Sequence, residues 1–204
     1  IVGCLVGSEM CIRDRLYAAE VASAILTELK TWRKYDCFSR KPRKGAQNII
    51  DVRWVLKWKW IRMEKEADYG SGRFRRKDNL IRVIRARLIV RGFKDQGKYE
   101  GVSNYAGTAS RYSQRVVTSE AACQGWDLLT LDVPKAFLQG WDYKKLQEET
   151  GEAPREVNFY LPAHTIPLLK QVDGFEDFDP HNEVLHCDKP GTGLIDAPRC
   201  FRLQ

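Results

Sequence analysis

The sequence predicts an α+β fold. Three observations carry that expectation: a helix-period stretch near the start, two strand-period stretches after it, and a second helix that leads into a short apolar run. Leu16, Ala19, Ala22, Leu26, Leu29 and Trp32 recur at three- and four-residue steps, with Glu20, Ser23 and Glu28 elsewhere on the wheel, which predicts an amphipathic helix. Pro42 and Gly45 then mark a basic loop through Lys41, Arg43 and Lys44. Val52, Trp54, Leu56, Trp58 and Trp60 alternate with Arg53, Val55, Lys57, Lys59 and Ile61, a strand with its aromatics on one face. Ile84, Ala86, Leu88 and Val90 alternate in the same way with Arg85, Arg87, Ile89 and Arg91. The two strands predict a long β-hairpin. Its tip, Glu64 to Asn79, holds Gly70, Gly72 and the cluster Arg73-Phe74-Arg75-Arg76-Lys77, and is expected to be flexible. Trp54, Trp58 and Trp60 are expected in the core rather than as stacking platforms. Ser113 to Cys123 reads as a helix with Val116, Val117, Ala121 and Ala122 inward, closed by Gly125.

After Gly125-Trp126 comes Leu128-Leu129-Thr130-Leu131, a short apolar run bounded by Asp127 and Pro134, which predicts a buried strand with Asp132 at its end. A carboxylate there suits Mg²⁺, which takes one or two carboxylates beside substrate phosphates. Taken alone it suits better a cap on a short helix beginning near Pro134, and it also suits a solvated loop. The residues alone leave these open.

Composition narrows the class without fixing it. The chain has 204 residues, 43% of them hydrophobic, enough for one domain or two small lobes. Its net charge is +7, and the excess lies between Lys30 and Lys98, while Glu148 to Glu183 is acidic. A basic front half suits a polyanionic partner. The cysteines at 4, 11, 37, 123, 187 and 200 have no Cys-x-x-Cys spacing and read as reduced thiols. His181, His186 and Cys187 lack a fourth zinc ligand at suitable spacing. There is no phosphate-binding Gly-x-x-x-x-Gly-Lys-Ser/Thr loop, no internal repeat, and no apolar run long enough for a membrane span. Glu176-Asp177-Phe178-Asp179-Pro180 reads as a surface turn. Residues 1–15, including Gly7-Ser8-Glu9-Met10-Cys11-Ile12-Arg13-Asp14-Arg15, look like a translated sequencing adaptor and are expected outside the fold.

Several blocks stand in a recognisable order. Arg85-Ala86-Arg87-Leu88-Ile89-Val90-Arg91-Gly92-Phe93 is followed by Gly125-Trp126, then by Asp132-Val133-Pro134-Lys135-Ala136-Phe137, then by Gly193-Leu194-Ile195-Asp196-Ala197-Pro198-Arg199. With Trp32 and Trp54-Val55-Leu56-Lys57 upstream, these blocks resemble, from about Leu16 to Gln204, the N-terminal part of Ty1/copia-type retrotransposon reverse transcriptases. The resemblance implies a right-hand polymerase: residues 16–125 a fingers-like lobe of hairpin and helix, and residues 126–204 an incomplete palm sheet. It implies RNA-directed DNA polymerase chemistry, nucleotidyl transfer assisted by two Mg²⁺ ions, with Mn²⁺ as a substitute. Asp132 would be the catalytic metal ligand and the Val133 carbonyl a second donor. Arg87, and with it Arg85, would grip the incoming triphosphate, because guanidinium matches phosphate in a planar fork. Phe137 would lie under the sugar and obstruct a 2′-hydroxyl, or else simply pack beside Leu138. Arg91, Lys57, Lys59, Arg75 and Arg76 would contact nucleic acid. On the residues alone, the same arginines read as a solvated basic face.

Implied partners are an RNA or DNA template-primer, dNTPs, and the protease, integrase and RNase H regions of a Pol polyprotein, in a cytoplasmic particle or the nucleus and with no membrane. Two departures stand out. Asp196 occupies a position where many family members carry Gln, and Thr192 replaces the usual aromatic residue. The Tyr-x-Asp-Asp hairpin that supplies the other carboxylates does not occur in the sequence. The expectation is therefore a fragment that is inactive as it stands, or a noncatalytic nucleic-acid-binding remnant of a decayed element.

Overall fold

The computed structural model describes residues 17–62, 75–76, 80–99, 105–153 and 155–204. Helix α1 is Ala18–Lys34 and is followed by strands β1 (Phe38–Pro42), β2 (Ile49–Arg62), β3 (Arg75–Arg76) and β4 (Leu80–Val90). Next come α2 (Arg111–Gln124), α3 (Tyr143–Thr150), β5 (Asn158–Tyr160), α4 (Ile166–Leu169), β6 (Glu183–Cys187) and α5 (Ala197–Leu203). The strands form a six-stranded sheet in the order β1-β6-β5-β2-β4-β3, so it draws on both sides of residue 125. Among the described residues no helix is long and apolar enough to cross a membrane.

The hairpin follows from its alternation. β2 and β4 pair antiparallel from Val52↔Val90 to Arg62↔Leu80, which places Val52, Trp54 and Leu56 beside Ala86, Leu88 and Val90 in the core. Arg53, Lys57 and Lys59 point the other way and are exposed. The expectation that all three tryptophans are core fails at the far end. Trp54 is buried and Trp58 half-buried, but Trp60 is 42% exposed. The Tyr17 ring meets Trp58 edge-on at 5.1 Å, and β2 continues beyond Trp58 to Arg62. Of the tip, only the Arg75–Arg76 backbone, paired with β4 as β3, lies within the described residues.

Helix α1 buries Ile25, Glu28, Leu29 and Trp32, whereas Ala19 is exposed. The inward stripe is thus rotated from the expected one, and Glu28 goes inside. It stays there because its carboxylate accepts from Trp32 Nε1 at 3.2 Å and pairs with Lys135. Phe38 and Phe159 pack against Trp32 and each other, and Phe175 packs against Phe38, with centroid separations of 5.1 to 6.4 Å. The predicted basic loop at Lys41 is in part strand β1, paired with β6 from Phe38↔Cys187 to Pro42↔Glu183. The surface turn at Glu176–Pro180 is pinned from beneath by buried Phe175 and Phe178.

Two expectations about the middle of the chain are overturned. Helix α2 forms as its local signals dictate: Ser110 Oγ accepts from Ser113 N at 3.1 Å, and Gly125 closes the helix at φ +65°. Yet only Ala121 is buried, and Val116 is 67% exposed. Leu128 to Leu131 is not a strand, and Leu129 is 88% exposed. A strand requires a ladder partner, and no strand of the described sheet runs alongside this segment.

Candidate nucleotide and nucleic-acid interface

The outer face of the hairpin gathers positive charge. Register sets Lys57 directly opposite Arg85, Val55 opposite Arg87 and Lys59 opposite Val83. All of these but Val83, with Trp58, line a groove of about 230 Å³. Like charges facing each other across a ladder destabilise it, and no described carboxylate is ion-paired to Lys57, Lys59, Arg85 or Arg87. A bound polyanion would relieve that repulsion. Arg91, the next member of the row in sequence, is engaged elsewhere. Its guanidinium donates to Asp51 Oδ2 at 2.9 Å, and Lys94 pairs with Asp51 Oδ1 at 2.7 Å. Burial opposes ionisation of Asp51, but the Lys94 ammonium and the Arg91 charge outweigh it and hold the carboxyl below its ordinary range. Arg75 and Arg76 contribute their backbones to β3, and their side chains lie outside the described residues.

Asp132 sits elsewhere, exposed in the extended segment between α2 and a 3₁₀ turn at Ala136–Gln139. It does not cap that turn, whose N-cap is Lys135 at φ +57°. Val133 and Phe137 are exposed, and Leu138 is the buried anchor of the turn. Among the described residues there is no group of three or more His, Cys, Asp or Glu side chains that could hold a metal. One solvated carboxylate does not by itself hold two Mg²⁺ ions. His186 is held by Asn158, Nδ1 to Oδ1 at 3.0 Å, and burial pushes the Cys187 thiol well up.

The blocks that carry the family resemblance do meet, through backbone. A Cβ on Gly92 would stand 2.2 Å from Gly193 O, and one on Gly193, at φ +105°, would stand 2.2 Å from Val90 O. Only glycine permits that approach, which is sealed by Val90 N donating to Thr192 O at 2.9 Å. Gly140 meets the backbone of α5 in the same manner, 2.8 Å from Phe201 N for a notional Cβ, and Trp141 N donates to Cys200 O at 3.1 Å. The departure at Asp196 has a physical account. Arg155 donates to both Asp196 and Asp95, each essentially fully buried, while Asn48 donates to Asp95 at 2.9 Å. Asp196 is therefore turned inward and tied, and Arg199 is bound by Glu152 at 2.8 and 2.6 Å. Arg155 and Asp95 escaped the sequence reading because their partners lie 41 and 60 residues apart in the chain.

No family profile and no solved structure matches the chain. Two curated proteins do. One is a retrovirus-related Pol polyprotein from transposon RE1 of Arabidopsis thaliana, 24% identical over 163 residues. Another is the corresponding polyprotein from transposon RE2 of the same plant, 23% identical over 163 residues. Each match takes in 80% of this chain but only 9% of the relative's length. The chain is thus similar to one short stretch of retrotransposon Pol polyproteins, a likeness that supports a retrotransposon Pol origin.

Proposed function

We propose that this chain is part of the reverse transcriptase region of a copia-type retrotransposon Pol polyprotein, and that its hairpin holds polyphosphate. The observation that carries the reading is the outer hairpin face, where Lys57 and Arg85 oppose each other and Lys59 and Arg87 flank them without described acidic partners. In this reading Arg87 and Arg85 fork onto the triphosphate of an incoming dNTP, while Lys57 and Lys59 neutralise the template-primer backbone. Asp132 would enter as one Mg²⁺ ligand, beside the Val133 carbonyl, with the remaining carboxylates supplied from elsewhere in Pol. Phe137, which is exposed, would meet the sugar.

Two substitutions test the proposal. Arg87→Ala in this chain is expected to weaken dNTP binding far more than duplex binding, read by equilibrium titration of both ligands. Equal loss of both would reduce the row to general electrostatics. In a longer Pol polypeptide that extends primers, Asp132→Asn is expected to abolish extension while leaving folding and template binding intact. Unchanged extension would leave the noncatalytic reading standing.

A further inference from the structure

The segment that carries Asp132 is free along most of its length and fastened at one point. We infer, on the polymerase reading proposed above, that Glu28 is a positioning residue. Acting through Lys135, it sets Asp132 relative to the strand that bears Arg85 and Arg87.

Every residue from Leu128 to Pro134 is exposed, and among the described residues none of their backbone groups pairs with another backbone group. Lys135 is where that freedom ends. Its ammonium pairs with the Glu28 carboxylate of α1, and its carbonyl accepts from Leu138 N at 2.9 Å. Gln139 Nε2 donates to Pro134 O at 2.7 Å, and Leu138 is buried. The first fixed point after Asp132 is thus three residues away.

Two unfavourable features persist at this fastening. Lys135 holds φ +57°, in the left-handed region. The other described non-glycine residues at positive φ are Asp36 and Asn48, types whose short polar side chains tolerate that conformation, whereas lysine adopts it rarely. Glu28, only 6% exposed, keeps a carboxylate beside the buried Ile25, Leu29 and Trp32 of the same helix. Strained backbone survives where its surroundings impose it and gathers at functional sites, and a buried ion pair is seldom the most stable filling for its space. Anchoring Leu138 needs neither: glycine would make the turn, and an apolar side chain would fill the Glu28 position.

The far side of Glu28 shows what the fastening is tied to. One carboxylate oxygen accepts from Trp32 Nε1 at 3.2 Å, and the other takes Lys135. Trp32 is fully buried and packs so closely on Gly191 that a Cβ there would stand 2.1 Å from its ring. The next residue, Thr192, accepts from Val90 N at 2.9 Å, at the end of β4. Contacts therefore run unbroken from Lys135 through Glu28, Trp32 and Gly191 to the strand of Arg85 and Arg87. A carboxylate and arginines that serve one triphosphate must be held in a single register, and a free exposed loop cannot supply it.

The first arm of the test uses the chain as it is. Glu28→Gln keeps the side-chain size and an acceptor for Trp32 but removes the charge that holds Lys135. Hydrogen exchange of the Leu138 amide is expected to quicken about tenfold, while amides of the β2–β4 ladder keep their rates. If Glu28→Gln does not fold, Glu28→Gln/Lys135→Met, which strands no charge, takes its place with the same expectation. The second arm uses a Pol polypeptide that extends primers. The Mg²⁺ concentration for half-maximal extension is expected to rise about tenfold in Glu28→Gln and to stay near the wild-type value in Lys135→Arg. A merely structural role would reduce the amount of active protein, and so the rate, without moving that concentration. Unchanged Leu138 exchange, or an equal rise throughout the ladder, overturns the fastening. Quickened exchange with an unmoved Mg²⁺ requirement overturns the positioning role, and each of these results leaves the reading of Arg85 and Arg87 intact. Full extension by Asp132→Asn overturns the polymerase reading of Asp132 and this inference with it.

Discussion

Two stretches that carry the same family resemblance behave in opposite ways. Gly193 to Arg199 is drawn into the molecule, pressed backbone to backbone against Val90 and Gly92, and tied through Asp196 to Arg155. Leu128 to Val133, which contains the acidic residue of greatest chemical interest, lies in the open with its leucines in solvent. The difference is one of partners rather than of local character. The Gly193 stretch has glycines that allow contact and an arginine that neutralises its buried acid. The Leu128 stretch has strand-forming residues but no described strand beside it, and apolar character alone cannot bury a backbone whose N–H and C=O groups would go unpaired. A motif therefore supplies the residues of a site, and the surrounding fold decides whether they converge.

Two glycines sharpen the contrast most. Gly193→Val places a branched side chain at φ +105° against Val90 O, and is expected to cost upwards of about 4 kcal/mol or to prevent folding. Gly125→Ala, at φ +65° with nothing within 4 Å, should cost only about 1 kcal/mol. Denaturant midpoints of the two proteins measure both, and similar losses would contradict the account of the Gly193 contact. Next in size is Arg155→Met. It strands Asp95 and Asp196 as buried, unpaired charges and is expected to cost about 3–5 kcal/mol. A loss below about 1 kcal/mol would mean that the two carboxylates are not held as described.

A smaller effect is set by pH. The Lys41 ammonium, the Gln47 N–H and the Asn158 amide hold Glu156 down to about 2, from an ordinary 4.5. Stability from this group is fully present above pH 4.5 and lost as pH falls toward 2, because below that point both states bind the proton. Glu156→Gln should flatten the acid side of the stability profile over that window, read as melting temperature against pH. The smallest effect is expected in the open stretch. Leu129→Ser and Leu131→Ser should change stability by no more than about 0.5 kcal/mol, while raising solubility. A large destabilisation would show that the run is packed after all.

What the sequence made legible was whatever is decided locally. The period-two alternation of Val52 to Trp60 against Ile84 to Val90 dictates the hairpin and its two faces. Ser110 and Gly125 mark the ends of α2 because a cap is satisfied by its own neighbours. Burial was less legible. Glu28 looked like a solvent-side residue until Lys135, far along the chain, supplied its counter-charge. Val116 and Val117 looked like core, but an inward face exists only where another element covers it. Trp60 follows its strand's pattern and is still 42% exposed, which alternation alone does not foretell. On the candidate site, the basic face was readable from spacing, whereas the Asp51 pair that engages Arg91 needed the fold.

The proposed role of the outer hairpin face is to bind polyanions. The most direct measurement is binding of a dNTP and of a short oligonucleotide across a range of salt concentrations, for the wild-type chain and for the Arg85→Ala/Arg87→Ala protein. The account predicts binding to both ligands, oligonucleotide affinity falling steeply as salt rises, and loss of most dNTP affinity in the double variant with the fold retained. Absence of binding by the wild-type chain, or equal affinities in the two proteins, would contradict it.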